Sequence, residues 1–412
     1  MMIPLSEAQD HVLSRIITLR AVARPIDDCI GLCTSAPLVA EEAIPPFDNT
    51  AVDGFAIRIA ELAGTDGAAT RLGVAGTIAA GDPPRAMAGP GSALRIMTGA
   101  VIPTGADAVV MVEDVVEDGD FITLSRSMTP GENIRRMGSD IATGTLLFPE
   151  RTTLTPAHLG VLASVGYAKV PVYRRARVGV ISTGSELVDE IRPLAPGEIR
   201  DSNRHSLMAI LASTGAEVVD LGVIADDRDA LREAFTTAAA ELDAIVTSGG
   251  VSVGDFDYTK AILSEVSGGQ MRWMQIAIRP AKPFAFGTIG TTPVFGLPGN
   301  PVSALVSFEL FVRPSIKKMH GYTDIFTPPL RAKATNNYSR HRDGKTHFVR
   351  ALLGVEESGE LVVASLDKQG SHMLHEMSRA NALIITPDGD GFSSGEKVMV
   401  LQLGPMLSHN RP

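Results

Sequence analysis

The chain has 412 residues, of which 44% are hydrophobic and 20% are charged, and its formal net charge is −10. At ~150 residues per domain this length predicts about three domains, and the excess of acidic side chains argues against binding to nucleic acid or to an anionic membrane surface. No apolar run reaches the ~18–20 residues of a membrane-spanning helix, and residues 6–11 are polar where a signal peptide has its hydrophobic core, so we expect a cytoplasmic protein.

The N-terminal part predicts one helix followed by extended chain. Residues 6–21 carry apolar side chains roughly along one helical face. Cys29 and Cys33 are the only cysteines, and no neighbouring Cys or His completes a tetrahedral metal site. We therefore expect both to be buried, reduced thiols.

A small, mostly β domain is predicted after the Pro45-Pro46 pair. Short β-type runs broken by Gly, Pro and Asp recur at 72–74, 93–97, 108–112 and 121–124. The apolar loop 98–107 is longer than a tight hairpin needs, which is typical of functional loops in compact domains. Residues 155–165 then predict a helix, with Thr153 or Thr155 as its cap.

Two polar segments of this part of the chain have open interpretations. Asp48, Asn49 and Asp53 taken alone favour turns and Asx caps, while a functional role stays open. Arg135 and Arg136 suit either oxyanion binding or a solvated turn. Sequence spacing does not separate these alternatives.

Alternating β-type and helical segments between 177 and 319 predict an α/β domain. The predicted strands are 178–182, 217–224, 244–247, 274–278, 284–286 and 294–296. The predicted helices are 206–214, 228–242 and 302–312, the last ending just before Pro314. Such alternation gives a mainly parallel, doubly wound sheet.

The segment TSGGVSVGDFD at 247–257 lies between a predicted strand and a helix that starts at Tyr258. Its glycines let backbone N–H groups approach a phosphate, and the helix N-terminus adds partial positive charge. Asp255 and Asp257 offer carboxylates for a divalent cation that bridges to phosphate oxygens.

Four loops of this domain are predicted to meet at the carboxyl ends of its strands, where such sheets bind ligands. They are 182–186, 248–257, 279–283 and 296–301, and they supply Glu186, Asp255, Asp257, Arg279, Lys282 and Asn300. The absence of a GxxxxGKS/T motif excludes an ordinary P-loop nucleoside triphosphatase. Beyond Pro328-Pro329, short β runs predict a small β domain, and His372 and His375 lack the partners of a metal site.

The chain carries, in this order, the motifs PPFDNTAVDGFA, RIMTGAVIPTGADAVVMVED, GENIRRMGSDI, STGSEL, SGGVSVGDFDYTK, RPAKPFAFG and GLPGNPVSA. Over about residues 5–405 this set closely resembles the molybdopterin molybdenumtransferase (MoeA) family, which is similar to the E domain of gephyrin. The chain departs from the family's usual Lys-Pro-Gly-Lys-Pro at Arg279 and Ala281, and Gln275 stands where a lysine is often found.

The resemblance implies an elongated homodimer of four-domain subunits. The implied domains are an N-terminal helical and extended dimerisation domain of residues 1–43 and 141–176, an inserted small β-rich domain of 44–140, an α/β molybdopterin-binding domain of 177–327, and a C-terminal β-barrel-like domain of 328–412. The active cleft would form between the α/β domain and the small β-rich domain of the other subunit. Implied partners are the adenylyltransferase of the same pathway and factors that mature molybdoenzymes.

The family reaction is the insertion of molybdate into adenylylated molybdopterin, which yields molybdenum cofactor and AMP with Mg2+ assisting. The resemblance implies catalytic roles for Asp53, Thr98, Asp140, Glu186, Asp257 and Lys282, with Glu186 and Asp257 as Mg2+ ligands. It implies substrate-binding roles for Ser182, Thr183, Gly184, Asp226, Gly249, Gly250, Ser252, Gly254, Arg279, Pro298, Asn300, Pro301, Arg350 and Ser371.

Three alternatives stay in view. A molybdopterin adenylyltransferase would use the same α/β domain, although that family favours a TGGTG-type loop and does not carry the extra domains. Insertion of tungstate in place of molybdate is a closer rival. A non-enzymatic scaffold is the third, because the gephyrin E domain also anchors receptors, but we expect no fused partner domain here.

Overall fold

The computed structural model describes residues 2–62, 69–249 and 258–408. The chain divides into two compact units: a larger unit of Met1–Val22, Gly31–Ser35 and Val172–Pro412, and a smaller unit of Ala23–Ile30 and Ala36–Pro171. Within the described ranges, no helix is both long enough and apolar enough to cross a membrane. The division into four domains and its boundaries stay predictions.

A six-stranded sheet forms the centre of the larger unit, and it confirms the predicted doubly wound fold. Four parallel strands come first in its spatial order, and two antiparallel strands complete one side. The order is Glu217–Ile224, Arg177–Thr183, Ala244–Ser248, Thr292–Leu297, Pro283–Ile289 and Arg272–Gln275. The predicted single strand 274–278 is thus two strands, because Ile278–Arg279 leaves this sheet to pair with Thr346 and His347.

Helices cover both faces of the sheet because its buried strands are apolar on both sides. On one face Val180, Val246 and Phe295 pack into the cluster that contains Val12 and Leu207. On the other face Ile181 and Ile245 pack with residues of the helices Arg228–Glu241 and Tyr258–Val266, namely Leu231, Phe235, Ile262 and Leu263. Each fully buried large apolar side chain contributes roughly 1.5–3 kcal/mol.

Three helix predictions for the larger unit need correction at their ends. The first helix is Leu5–Leu13, shorter than predicted. The helix predicted at 206–214 is Ser202–Ala212, because Asp201 caps it. The last helix does not end before Pro314: Pro301–Ser307 continues through a π-helical turn, Phe308–Val312, into Arg313–Met319. The wider π turn gives the Pro314 ring room that a regular helix lacks.

The C-terminal strands of the larger unit close into a small barrel, as predicted. Each strand pairs with the next, and the last pairs with the first. In ring order they are Thr346–Val355, Leu361–Ser365, Leu330–Ala334, Lys397–Gln402 and Ala382–Thr386. The shorter elements attached to it are the strands Ile278–Arg279, Tyr338–Ser339, Gly391–Phe392 and Leu407–Ser408, and the helix Leu374–Arg379.

The smaller unit contains a six-stranded sheet, which confirms the predicted β-rich region. Its strand order is Ala108–Met111, Gly54–Ile57, Ser92–Ile96, Thr70–Ile78, Phe121–Leu124 and Val115–Asp118. Two short antiparallel pairs accompany it: Asn49–Thr50 with Ile134–Arg135, and Leu38–Val39 with Leu146–Phe148. The helix Pro156–Ser164 begins at the predicted cap Thr155, which forms a capping box with His158.

The remaining elements are short. They are the strands Ala21–Pro25, Lys169–Tyr173, Leu187–Val188 and Ile199–Arg200, and the 3-10 helices Ile26–Asp28, Ile59–Leu62 and Val112–Asp114. Cys29 and Cys33 are buried and form no disulfide, which confirms the expectation of reduced thiols.

Candidate functional site

The carboxyl ends of three neighbouring parallel strands form one edge of the α/β sheet. Ser182 pairs with Ser248, and Ser248 pairs with Leu297, so the loops after these strands start side by side. Gly249 has a φ of +93°, and a Cβ at this position would lie 2.8 Å from the carbonyl oxygen of Thr183. Glycine is required here because a side chain would meet backbone at this edge.

A pocket of about 110 Å³ opens at this edge. Three of the four predicted loops contribute to it, through Thr183, Glu186, Ser248, Gly249, Gly299 and Pro301. The Glu186 carboxylate folds back over Gly184, since a Cβ at Gly184 would lie 2.6 Å from Glu186 Oε2. The fourth predicted loop, 279–283, lines a separate pocket.

Asn203 is a residue of this pocket that the sequence analysis missed. Its Nδ2 donates hydrogen bonds to Ser248 Oγ and to the carbonyl oxygen of Gly299, both at 2.7 Å. It thereby joins the loops that follow two strands. The sequence feature that could have pointed to Asn203 is Asp201, because a capping residue places Asn203 in the first turn of a helix. The Asp201 side chain accepts a hydrogen bond from the Arg204 N–H at 3.1 Å.

Other polar groups at the sheet edge differ in how well they are paired. Asp226 Oδ2 accepts hydrogen bonds from the N–H and the hydroxyl of Ser185, each at 3.2 Å, and so fixes the loop 182–186. The hydroxyls of Ser182 and Thr183 are buried and have no hydrogen-bond partner among the described residues. Buried unpaired hydroxyls are costly, so they are candidates for contact with a ligand.

Residues 250–257 of the glycine loop lie outside the described residues. The predicted roles of Gly250, Ser252, Gly254 and Asp257 therefore stay predictions. Over the described ranges, no group of three or more His, Cys, Asp and Glu side chains could hold a metal ion. The assignment of Mg2+ to Glu186 and Asp257 likewise stays a prediction.

A second pocket, of about 300 Å³, is lined by cations and hydroxyls. It takes in the whole loop 279–283, where Ala281 adopts a φ of +71°, a conformation that the glycine usual at this position would adopt without strain. Its polar lining consists of Arg279, Lys282, Asn300, Ser303, Lys345, Gln369 and Ser371. Lys345 and Ser303 were not singled out from the sequence. This combination of groups is suited to a small oxyanion.

The two pockets adjoin along the loop that precedes the helix Pro301–Ser307. Gly299 and Pro301 line the first pocket, and Asn300 lines the second. Pro298, which precedes them in the chain, is buried and lines neither pocket. The carbonyl oxygen of Ser371 accepts a hydrogen bond from the Val302 N–H at 3.1 Å, which fixes the barrel segment against this helix.

Arg350, on the barrel strand Thr346–Val355, supports the second pocket instead of lining it. Its side chain is 1% exposed and donates hydrogen bonds to the carbonyl oxygens of Gly370, at 3.0 Å, and Lys368, at 2.6 Å. Its Nε is buried and has no partner in the described part of the chain. The guanidinium therefore fixes the segment that leads to Ser371.

The predicted site residues of the smaller unit bring three sequence motifs together. Asp53 Oδ1 accepts hydrogen bonds from the N–H and the hydroxyl of Thr98, both at 2.7 Å. These hydrogen bonds hold the pKa of Asp53 below its usual range. Asp48 in turn accepts from the Met137 N–H at 2.7 Å and from Arg136 at 2.6 Å, and both lower its pKa.

Asp140 is exposed, and its N–H donates to the carbonyl oxygen of Ile44 at 3.0 Å. Its side chain makes none of the contacts that join the three motifs. The loop that follows Thr98 is fixed by backbone pairing, because Gly99 donates to Thr50 at 3.0 Å and Thr50 donates to Ala100 at 3.1 Å.

Comparison with known proteins covers nearly the whole chain. Family models match in the order MoeA N-terminal region (domain I and II) at 3–166, probable molybdopterin binding domain at 179–318, and MoeA C-terminal region (domain IV) at 331–403.

Individual relatives match over similar lengths. The molybdopterin molybdenumtransferase of Haemophilus influenzae is 39% identical over 98% of this chain and 100% of its own length. Molybdopterin molybdenumtransferase 2 of Mycobacterium tuberculosis is 38% identical over 93% of this chain and 95% of its own length. The crystal structure of the molybdopterin biosynthesis moeA protein of Pyrococcus horikoshii is 29% identical with a TM-score of 0.81, covering 98% of this chain and 100% of that one. With matches of this extent, the chain belongs to the MoeA family, whose curated members carry the name molybdopterin molybdenumtransferase.

Proposed function

We propose that this chain inserts molybdate into adenylylated molybdopterin and releases molybdenum cofactor and AMP, with Mg2+ assisting. Membership of the MoeA family supports the reaction class. The structural observation that carries the proposal is the junction of two unlike pockets along residues 299–301. One is a glycine-edged pocket suited to a phosphate group, and the other is a cation-lined pocket suited to an oxyanion.

Charge neutralisation is the central task of this reaction. Cleaving a phosphoanhydride bond lets negative charge develop on the departing AMP, and positioned cations stabilise that charge. Among the described residues, Lys282 and Arg279 are two of the three cations that line the second pocket, and Lys345 is the third. The hydroxyls of Ser303 and Ser371 would orient the oxyanion there.

Mg2+ would be held by Glu186 with Asp257, because carboxylate oxygens are its preferred protein ligands, and it would supply further positive charge to the phosphate oxygens. Glu186 lines the glycine-edged pocket, which fits this role. We further propose that the protein acts as a homodimer and receives its substrate from the adenylyltransferase of the same pathway. The family resemblance supports both.

The direct test measures AMP release and molybdenum incorporation from purified adenylylated molybdopterin. Molybdate, tungstate and no oxyanion are compared with Mg2+ present. Molybdate-dependent AMP release coupled to metal incorporation is the expected outcome, and preference for tungstate would change the metal that we assign. ATP consumption would identify an adenylyltransferase instead, and substrate binding without AMP would identify a scaffold.

The Lys282→Ala variant tests the role of the central cation. We expect single-turnover AMP release to fall roughly 100-fold, as is typical when one group that stabilises developing charge is removed. Lys397→Ala is the matched control, since Lys397 is exposed on the barrel and does not line either pocket. Full AMP release by Lys282→Ala would exclude the role that we give this residue.

A further inference from the structure

A third cavity, of about 310 Å³, lies beside the cation-lined pocket. The two share Arg279, Pro280 and Gln369 as lining residues. The third cavity is also lined by Tyr338, Asp343 and His347, three titratable side chains that the proposed reaction does not use.

His347 connects these three side chains. The residue is 4% exposed, with its Nε2 3.3 Å from Asp343 Oδ2 and its Nδ1 3.3 Å from the Tyr338 hydroxyl. The Tyr338 ring is stacked on Phe392 at a centroid distance of 5.5 Å. The side chain is therefore held at its ring by Phe392 and at its hydroxyl by His347. Tyr338, His347 and Asp343 therefore form one hydrogen-bonded chain along the cavity wall.

Backbone pairing places the same histidine beside the loop 279–283, which lines the second pocket. Ile278–Arg279 pairs in parallel with the barrel strand, in a register that places Arg279 beside His347. The Thr346 N–H donates to the carbonyl oxygen of Ala277 at 2.9 Å and fixes this register. A change in the charge of His347 would therefore occur beside Arg279, a cation of the second pocket.

The direction of the hydrogen bonds follows from the charge of Asp343. Burial opposes ionisation of this carboxyl, but hydrogen bonds from Lys345 and His347 outweigh it and lower its pKa to about 2. An ionised carboxylate only accepts, so Nε2 of His347 carries the proton and Nδ1 is the acceptor. The Tyr338 hydroxyl then donates its one proton to His347.

Protonation of His347 would reverse the bond to Tyr338. Nδ1 would become a donor to the Tyr338 oxygen, and the Tyr338 O–H would then be able to donate its hydrogen bond to an anion in the cavity. Burial lowers the pKa of His347 and keeps the ring neutral near pH 7, and Arg340 and Arg279 act in the same direction, whereas Asp343 opposes them. An oxyanion beside the ring would favour the protonated form.

We propose that His347 is a positioning residue for oxyanion binding, and that its protonation releases the Tyr338 hydroxyl to the oxyanion and adds positive charge beside Arg279. The groups that face the ring are Tyr338 from its short strand, Arg340, Asp343 and Lys345 from the segment before the barrel strand, and Arg279 from the paired strand. The inference rests on the proposed function only in naming molybdate as the oxyanion.

Calorimetric titration of the full chain between pH 7.5 and 5.5 tests this proposal. Sulfate is the main probe because its charge is constant over this range, and dilute molybdate is the second. We expect affinity to rise as pH falls, by up to about tenfold per pH unit, the limit for one linked proton. This readout needs no turnover, so a failure of AMP release would leave it interpretable.

Two variants separate titration from structure. The amide of His347→Gln can donate to Asp343 and accept from Tyr338 but does not titrate, so we expect near-normal affinity at pH 7.5 and no rise at pH 5.5. Tyr338→Phe should also weaken the dependence of oxyanion affinity on pH, because it removes the hydroxyl that donates to the oxyanion once His347 is protonated.

His341→Gln is the control, since His341 lines the same cavity but is exposed. It should keep the pH dependence. If the rise in affinity at low pH persisted in His347→Gln, or disappeared in His341→Gln, the proposal would be overturned.

Discussion

The buried side chain of His320 contributes to the pH dependence of the stability of this protein. His320 is 2% exposed, and its Nε2 accepts a hydrogen bond from the Ala176 N–H at 2.8 Å. Burial, with a smaller contribution from Arg175, lowers its pKa to about 4. The folded protein therefore excludes a proton that an unfolded histidine, with a pKa near ~6.5, would bind.

The sign of the effect follows from that difference. The stabilising contribution is complete above the unfolded pKa and is lost as pH falls from ~6.5 towards the folded value. We expect a loss on the order of 2 kcal/mol between pH 7.5 and pH 5 from this group alone. Melting temperatures across this range should fall less steeply for His320→Gln, which can accept the same hydrogen bond without titrating.

The control for this measurement is His375→Gln, because His375 is exposed. Its profile should follow that of the unchanged protein, including the shared loss from other titrating groups. If the melting temperature fell equally steeply with pH in His320→Gln and in the unchanged protein, His320 would not be a source of the pH dependence.

At the residue scale, the sequence indicated which polar residues belong to the site but not the residues to which they are hydrogen-bonded. Asp48 and Asp53 had two open interpretations, and the structure gives each carboxylate a loop-fixing bond to a distant segment, Met137 and Thr98 respectively. Such bonds leave no local pattern in the sequence. Asn203 was missed for a related reason, since its two partners are 45 and 96 residues away along the chain.

At the scale of elements, the barrel contains a close approach that only glycine allows. Gly391 has a φ of +112°, and a Cβ there would lie 1.8 Å from the Tyr338 carbonyl oxygen in the paired strand. Gly391→Ala should separate Tyr338–Ser339 from Gly391–Phe392. We expect amide exchange of the barrel strands to accelerate roughly 30-fold, equivalent to ~2 kcal/mol of local stability.

Gly389→Ala serves as the comparison for that substitution. A Cβ at Gly389 would have its nearest neighbour at 4.0 Å, and its backbone does not require glycine. Exchange in this variant should stay within about threefold of the unchanged protein. If both alanine variants exchanged alike, the close approach would not be the cause.

Elements were predictable where their own periodicity or caps define them. Glu217–Ile224 has the predicted ends, and Thr155 caps its helix as expected. The boundary at Pro314 failed because a π turn, which depends on packing and not on local propensity, continues the helix through the proline. Closure of the barrel was predicted through the family resemblance, since strand pairing across the chain has no local signal.

At the scale of the whole molecule, the proposed homodimer makes a prediction about how active sites are shared. The family resemblance implies that Asp53 of one subunit serves the Lys282 pocket of the other. A heterodimer of Asp53→Asn and Lys282→Ala subunits would then contain one site with both residues intact. We expect each variant alone to be nearly inactive, and the heterodimer, purified through two different tags, to regain about half of the normal AMP release.

Restoration of activity distinguishes this arrangement from sites built within single subunits. If each site used Asp53 and Lys282 of the same chain, every site in the heterodimer would lack one of them, and activity would stay at the level of the single variants. Co-purified subunits that both carry Lys282→Ala control for effects of the tags. Light scattering of the purified sample establishes the subunit count, because a monomer could show neither outcome.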